Sequence, residues 1–468
     1  MQYISTRGIF KKGEEKSFKQ VTLEGLAEDG GLFVPHKFPK FNKKKLDSMK
    51  TMNYAELSAE VISEFTGEDL NKSEILEIAY KAYSNFLGDD AATLLELRKN
   101  KFILELFHGP TLAFKDFALQ LLGGVFDKFL YEDNKNTNIL GATSGDTGSA
   151  AIEAFKNKKN VRLFILHPQG RISDFQRKQM TTVEAKNVYN IAIKGNFDDC
   201  QAIVKALFKD LNFNKQFNLA SINSINWARV LAQVVYYFYA VFKISNAHNN
   251  IKVNFSVPTG NFGDAYAGFI AKKIGLPINK ILVATNSNDI LANFFQTGIY
   301  KTSSVVPTLS PSMDIQVASN FERLLYEICK YDCNAVSAHM EKFSSQGYIK
   351  IKKNELNSIK NIFMGFSIND KQTLKIIRDI YENENIIVDP HTAVGLGALE
   401  IKNIDNIPLV SLATAHPIKF KNAVERALDI SPKVPKKFTR LFDLEEKFYT
   451  LDNQPSSLKS LVESIGGQ

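Results

Sequence analysis

What most limits the fold of this 468-residue chain is an alternation of strand-like and helix-like stretches. Short apolar runs stand at Phe102–Leu106, Asn138–Leu140, Val161–Leu166, Val253–Val257, Ile281–Ala284, Asn385–Val388 and Leu409–Ala413. Several lead directly into a Gly- or Thr-rich turn and then a stretch with apolar residues at three- and four-residue spacing. That order suits a mostly parallel, doubly wound α/β sheet, with sites at the carboxyl ends of its strands. The part from about residue 45 to 90 differs: YAELSAEVISEF and NKSEILEIAYKAYSNF are helical in spacing and contain no Gly-rich loop. The expected division is a small helical N-terminal domain over 1–95 and a main α/β domain over 96–430. A smaller inserted subdomain is expected at about 136–240, and a charged, peripheral C-terminal segment over 431–468.

Composition narrows the functional classes. Hydrophobic residues are 44% and charged residues 23% of the chain, which excludes a largely disordered protein. The formal charge of +8 is diluted over the length, and basic groups such as Lys43–Lys45, Lys158–Lys159 and Lys436–Lys437 sit among acids. That argues against a nucleic-acid partner, which calls for a clustered basic face. Three cysteines are too few for a disulfide framework, and Cys329-x-x-x-Cys333 lacks a second ligand pair, so no metal is expected. MQYISTRGIFKKGEEK has no apolar core of a signal peptide. Ala228–Phe242 is too short to span a bilayer and is broken by Gln233, so it reads as a buried helix. The expectation is a cytoplasmic chain without a membrane partner, monomeric or homodimeric.

Three loops carry chemistry. VNFSVP runs into Thr259, Gly260, Asn261, Phe262, Gly263 and Asp264 and then a helix. Two glycines let the backbone approach a ligand, and a helix start offers free N–H groups to a phosphate. NILGATSGDTGSAA repeats the arrangement through Thr143, Ser144, Gly145, Asp146 and Thr147, shaped more for a carboxylate; Asp146 calls for a donor nearby, a phenol or an ammonium. Either loop alone also reads as an empty strand-to-helix turn. In FHGPTLAFKDFALQ a single lysine, Lys115, sits among aromatics where a buried face begins. Loss of solvation lowers an amine's pKa and makes it a nucleophile able to form a Schiff base. Schiff-base lysine, phosphate cradle and carboxylate cradle together are what an enzyme needs to hold pyridoxal phosphate and an amino acid.

FHGPTLAFKDFALQ, GATSGDTGSAA, NSINWARV, VPTGNFGDAYAG, SPSMDIQVASNFERLL and ATAHPIKF, with YISTRG and LAEDGGLFVP before them, resemble the threonine synthase family in its longer form. The resemblance covers about residues 1–425. It implies the fold-type II pyridoxal phosphate architecture, two open, mostly parallel sheets wrapped by helices, and conversion of O-phospho-L-homoserine and water to L-threonine and phosphate, the last step of threonine biosynthesis. It implies that Lys115 is the catalytic lysine bonded to the cofactor. Gly260, Asn261, Phe262, Gly263 and Asp264 correspond to the cofactor-phosphate loop, and Thr414 to the hydroxyl facing the pyridine nitrogen. Thr143, Ser144, Gly145 and Thr147 correspond to the substrate-carboxylate loop, and Ser224, Asn226 and Arg229 to the surroundings of the substrate phosphate. Asp146, implied near the cofactor phenol, and Asp264 stand where shorter relatives usually carry Asn. A dehydratase of the same fold is the nearest rival, and NSINWAR and SPSMDIQVASNFERLL argue against it.

Overall fold

The computed structural model describes residues 1–8, 15–88, 90–245, 251–401 and 407–466; the reading of the N-terminal stretch as lacking a leader core falls partly on residues 9–14, outside them. Two larger sheets carry the molecule. One has six strands in the order Phe363–Ser367, Ile278–Thr285, Val253–Pro258, Leu409–Ala413, Lys101–Glu105 and Thr93–Arg98, all parallel except the last. The other has five parallel strands, Tyr449–Leu451, Val188–Ile193, Val161–Pro168, Thr137–Ala142 and Leu219–Ala220. Central strands such as Val253–Pro258 are buried at every position, as a parallel sheet covered on both faces demands.

The N-terminal helices Tyr54–Thr66 and Lys72–Tyr83 start at Asn53 and Asn71. Each Asn accepts from the backbone three residues on, and Glu56 or Glu74 bonds back to it. The apolar run singled out as a buried helix is Trp227–Ser245, buried along nearly its whole length. It packs against the helices Tyr54–Thr66, Lys115–Glu132 and Gly263–Ile274. Trp227 Nε1 donates to Tyr3 OH at 2.9 Å and Tyr239 OH to the Ala92 carbonyl at 2.8 Å, so one continuous apolar core joins the N-terminal helices to the six-stranded sheet.

Two expectations need correction. Asn385–Val388 forms no strand. Asn385 ends the helix Asp370–Glu384 in the left-handed conformation, φ 55°, and the chain then runs unpaired to Asp389, which caps the helix Pro390–Leu396. Nor is the segment after residue 431 peripheral throughout. Tyr449–Leu451 extends the five-stranded sheet, and the helix Pro455–Gly466 packs on the helix Phe197–Lys209, inserting Leu458 and Val462 into a core with Leu140, Phe164 and Ile203. Its charged residues concealed an apolar stripe at helical spacing. Among the described residues no helix is long and apolar enough to cross a membrane.

Candidate active site

The loops of interest leave the carboxyl ends of strands in both sheets. Lys115 follows Lys101–Glu105, Thr414 follows Leu409–Ala413, and the TGNFG loop follows Val253–Pro258. From the other sheet, Asp146 follows Thr137–Ala142 and the NSIN turn follows Leu219–Ala220. Lys115 opens the helix Lys115–Glu132, and its segment is stitched to that of Thr414. Phe114 N–H donates to the Thr414 carbonyl at 2.8 Å and His416 N–H to the Leu112 carbonyl at 3.0 Å. Gly109 is required there, because a Cβ would lie 2.5 Å from Asp116, whose carboxylate accepts both the N–H and the hydroxyl of Thr111.

The Lys115 side chain is 13% exposed, with Nζ 3.3 Å from Asp146 Oδ2 and over the Phe114 ring. Burial lowers the pKa of this amine; the Lys419 and Arg229 charges push the same way, and Asp146 opposes them. Burial works against the Asp146 charge as well, but the Lys419 and Lys115 ammonium groups outweigh it and hold this carboxyl well below the usual carboxylate range. Asp146 also accepts from Gln176 Nε2 at 2.7 Å and Ser312 Oγ at 3.3 Å.

Several helix starts in the chain are closed by a side chain, as at Asn53, Asn71, Asn196 and Asn369, while those of Lys115–Glu132, Ile290–Thr297, Phe321–Ile328 and Lys421–Leu428 are not. The helices Gly263–Ile274 and Asp146–Phe155 lack any such cap: their N-cap residues are Phe262, at φ 65°, and Gly145, at φ 137°. Uncapped N–H groups at the positive end of a helix receive anions. The TGNFG turn is crossed by residues 310–320, so that a Cβ on Gly260 would meet the Ser312 carbonyl and Ile315 Cδ1 at 3.0 Å. Ser319 links the turn to NSIN, its hydroxyl 3.0 Å from Asn261 Oδ1 and 3.1 Å from Ser224 Oγ.

The expected residues therefore fall into two groups. Lys115, Asp146, Gly145, Gly260, Asn261, Gly263, Ser224 and Thr414 lie on loops that the fold gathers at one face. Ser144 is exposed at the lip and Thr147 is half-buried behind it. Arg229 is buried, donates from Nη1 to the Ile222 carbonyl at 2.8 Å, and leaves Nε without a partner. Burial lowers its pKa to about 10, and no carboxylate pairs with it among the described residues. A buried guanidinium lacking a counter-ion is prepared for an anionic ligand.

Other side chains are committed inward. Thr143 Oγ1 accepts from Gly145 and Gly148 N–H at 3.0 and 2.8 Å, shaping the loop from within. Asn226 is fully buried, donating to the Thr22 carbonyl at 2.8 Å and accepting from Ala228 N–H at 3.0 Å. Asp264 accepts from Tyr236 and Tyr237, away from the turn, so the loop has only backbone to offer at that position. Phe262 packs into the core on Phe295 and Phe363.

Sequence reasoning missed Lys419, Gln176, Ser312 and the pair Asp389–His391. Lys419 is wholly buried, 2.9 Å from Asp146 Oδ1. His391 Nδ1 lies 2.7 Å from Asp389 Oδ2, and Nε2 accepts from Ser312 N–H at 3.1 Å, which places the ring proton on Nδ1. Asp389 also caps its helix, and the Thr392 hydroxyl it binds accepts from Thr414 N–H at 3.2 Å. An Asp-Pro-His helix start was the available signal.

These residues fit pyridoxal phosphate. A buried amine of lowered pKa lies against the uncapped helix start at Asp146, and the TGNFG turn leads into a second uncapped start whose N–H groups can receive a phosphate.

Comparison with known proteins agrees with this geometry. Family models match residues 2–83 (threonine synthase N terminus), 95–340 (pyridoxal-phosphate dependent enzyme) and 392–462 (threonine synthase, C-terminal). A threonine synthase of Pseudomonas aeruginosa is 43% identical over 470 residues, covering 100% of this chain and 99% of the relative. The crystal structure of pyridoxal-phosphate-bound threonine synthase from Brucella melitensis superposes with a TM-score of 0.95 at 41% identity, covering 99% of each chain. Threonine synthase from yeast gives 0.94 at 38% identity, covering 100% of this chain and 99% of that one.

Proposed function

The chain belongs to the threonine synthase family, and on that premise we propose which of its residues do the work. It is a pyridoxal-phosphate-dependent lyase that converts O-phospho-L-homoserine and water to L-threonine and phosphate. When bound, the cofactor supplies an aldehyde that condenses with amines and a ring that draws electrons from the substrate's α-carbon.

Lys115 is the amine that holds the cofactor and, once released from it, takes the substrate's α-proton and moves protons at the neighbouring carbons. Its lowered pKa makes the unprotonated, reactive form easier to reach. The N–H groups of Gly260 to Asp264 receive the cofactor phosphate, with Asn261 held by Ser319. The Thr414 hydroxyl would serve the ring nitrogen; a neutral partner there would leave that nitrogen less protonated and moderate its electron demand. Asp146 stands beside Lys115, where it would lie near the cofactor phenol. Ser144, Gly145 and Thr147 receive the substrate carboxylate, with Thr143 bracing them from below. Arg229, with Ser224, stabilises the departing phosphate; Asn226 holds the turn that carries them. The same reading places the N-terminal domain at 1–95 and the catalytic domain at 96–430, with an inserted subdomain at about 136–240. It also takes the chain as cytoplasmic, monomeric or homodimeric, and without a nucleic-acid partner.

The observation that carries these roles is the buried Lys115 amine set opposite the unpaired Arg229 guanidinium and two uncapped helix starts. Turnover in ¹⁸O-labelled water tests the chemistry. Cleavage of the Cγ–O bond followed by water addition at Cβ puts the label in the threonine hydroxyl and none in phosphate. Label in phosphate, with homoserine as product, would mean hydrolysis at phosphorus and overturn the assignment.

A further inference from the structure

The cluster around Asp146 holds more positive charge than one carboxylate can balance. Lys115 and Lys419 both point at it, and Arg229 is the other charged group whose field reaches Lys115. We propose that Lys419 is a positioning residue for Lys115: by keeping Asp146 as its own ion-pair partner, it leaves the Lys115 amine free to lose its charge. The inference rests on Lys115 being the cofactor-bearing amine.

The two lysines are not equivalent. Lys419 Nζ lies 2.9 Å from Asp146 Oδ1 and donates to the Thr111 carbonyl at 2.7 Å, and its side chain has no exposure. It is the nearest counter-ion of the buried Asp146 carboxylate, and separating the two would leave a buried charge without its closest partner. Lys115 has one longer contact, 3.3 Å to Oδ2, and some exposure. The other neighbours of Asp146 favour the same division. Gln176 Nε2, steadied by Ser173, gives Oδ1 a second close donor at 2.7 Å, whereas Oδ2 has, among the described residues, only the 3.3 Å contacts from Lys115 and Ser312. Beyond Ser312 stands His391, whose ring proton is directed to Asp389 rather than toward Asp146. With Oδ1 saturated by Lys419 and Gln176, the surplus proton of the cluster is the one on Lys115. A second cation beside a reactive lysine lowers that lysine's pKa, and here the second cation is fixed by the fold.

The backbone makes the arrangement rigid. Lys419 sits in the 3₁₀ turn Pro417–Phe420, which His416 caps by accepting from Ile418 N–H, and His416 N–H is bonded to Leu112 in the Lys115 segment. Both amines are therefore carried on one stitched pair of strand-end loops.

The test uses the full-length chain freed of cofactor. It is labelled with acetic anhydride across a series of pH values, and acetylation at Lys115 is quantified by mass spectrometry. Lys419→Gln is expected to move the Lys115 midpoint upward by about one pH unit, and Asp146→Asn to move it downward. In the cofactor-loaded enzyme, the rise of kcat/KM with pH should follow the Lys419→Gln shift. A Lys419 that only fills space would lower the melting temperature and leave the midpoint in place, which would overturn the inference. Should Lys419→Gln fail to fold, the double variant Asp146→Asn/Lys419→Met removes both charges together. Its midpoint must then lie above that of Asp146→Asn alone, and coincidence of the two would overturn the inference. Borohydride trapping of the loaded wild-type chain separates the two levels: an adduct away from Lys115 sinks the role assignment, while an adduct at Lys115 with an unmoved midpoint sinks only the part given to Lys419.

Discussion

Arg229 is the side chain whose surroundings most directly call for a ligand. It keeps its charge in a place water does not reach, spends one nitrogen on the Ile222 carbonyl and leaves Nε unsatisfied. A buried donor without a partner is a standing cost that a bound phosphate removes. Arg229→Gln is expected to lower kcat/KM by about 10²- to 10³-fold, with Arg229→Lys recovering part of the loss, as followed by phosphate release from O-phospho-L-homoserine. An unchanged kcat/KM would remove Arg229 from the site. Residues of this kind were legible because each sits within a short motif. Lys419 and Ser312 sit within quoted motifs too, but neither they nor His391 stood out, because their significance lies in what they meet from distant parts of the chain: Asp146 stands 166 positions from Ser312. Asn226 and Asp264 show the opposite failure. Both belong to the right motifs, yet their side chains turn inward to Thr22 and to Tyr236 and Tyr237.

At the scale of elements, a side-chain cap marks a helix start that the chain closes by itself. Asn53, Asn71, Asn196 and Asn369 close theirs with a side chain three residues ahead of a Glu, Asp or Gln, a pattern visible in the bare sequence. The starts at Gly263 and Asp146 carry no such cap, nor do those at Lys115, Ile290, Phe321 and Lys421; the first two follow Gly-containing strand-end turns and are read as anion sites. Asp264, just inside the first of these, joins its helix to Trp227–Ser245 through two tyrosines, and burial pushes its carboxyl up to about 6. An acid that holds its proton more tightly when folded contributes stability below its unfolded pKa and loses it as pH rises through the folded value. The advantage of Asp264→Asn over the wild type should therefore grow by about 2 kcal/mol between pH 4 and pH 7, read from urea unfolding of the cofactor-free chain. A difference constant across that range would contradict the buried, protonating carboxyl. Elements were least legible where local spelling misleads. Asn385–Val388 has the residues of a strand but follows a left-handed helix cap and finds no partner among the described residues, while Phe363–Ser367 pairs with Ile278–Thr285 despite a central Gly365.

At the scale of the whole molecule, two mostly parallel sheets bring the loops at their carboxyl edges together, and neither edge alone carries all the residues proposed for the site. The TGNFG turn, Thr414 and Lys115 come from one sheet; Asp146 and the NSIN turn come from the other. This architecture was legible because parallel strands require the strand–turn–helix repetition seen along the chain. The role of the C-terminal helix was hidden by its charge, although Leu458 and Val462 complete the core behind the five-stranded sheet. Leu458→Ala should lower stability by about 2–4 kcal/mol and leave kcat at its wild-type value, measured by denaturant unfolding and steady-state assay; a loss of kcat in the folded variant would tie that helix to the chemistry. All of these arguments converge on one amine. The most direct test is to reduce the cofactor-loaded protein with borohydride, digest it and locate the pyridoxyl group by mass spectrometry. The account predicts the group on Lys115 and neither adduct nor turnover in Lys115→Ala; a pyridoxyl group on Lys419 or any other lysine, or threonine made by Lys115→Ala, would contradict it.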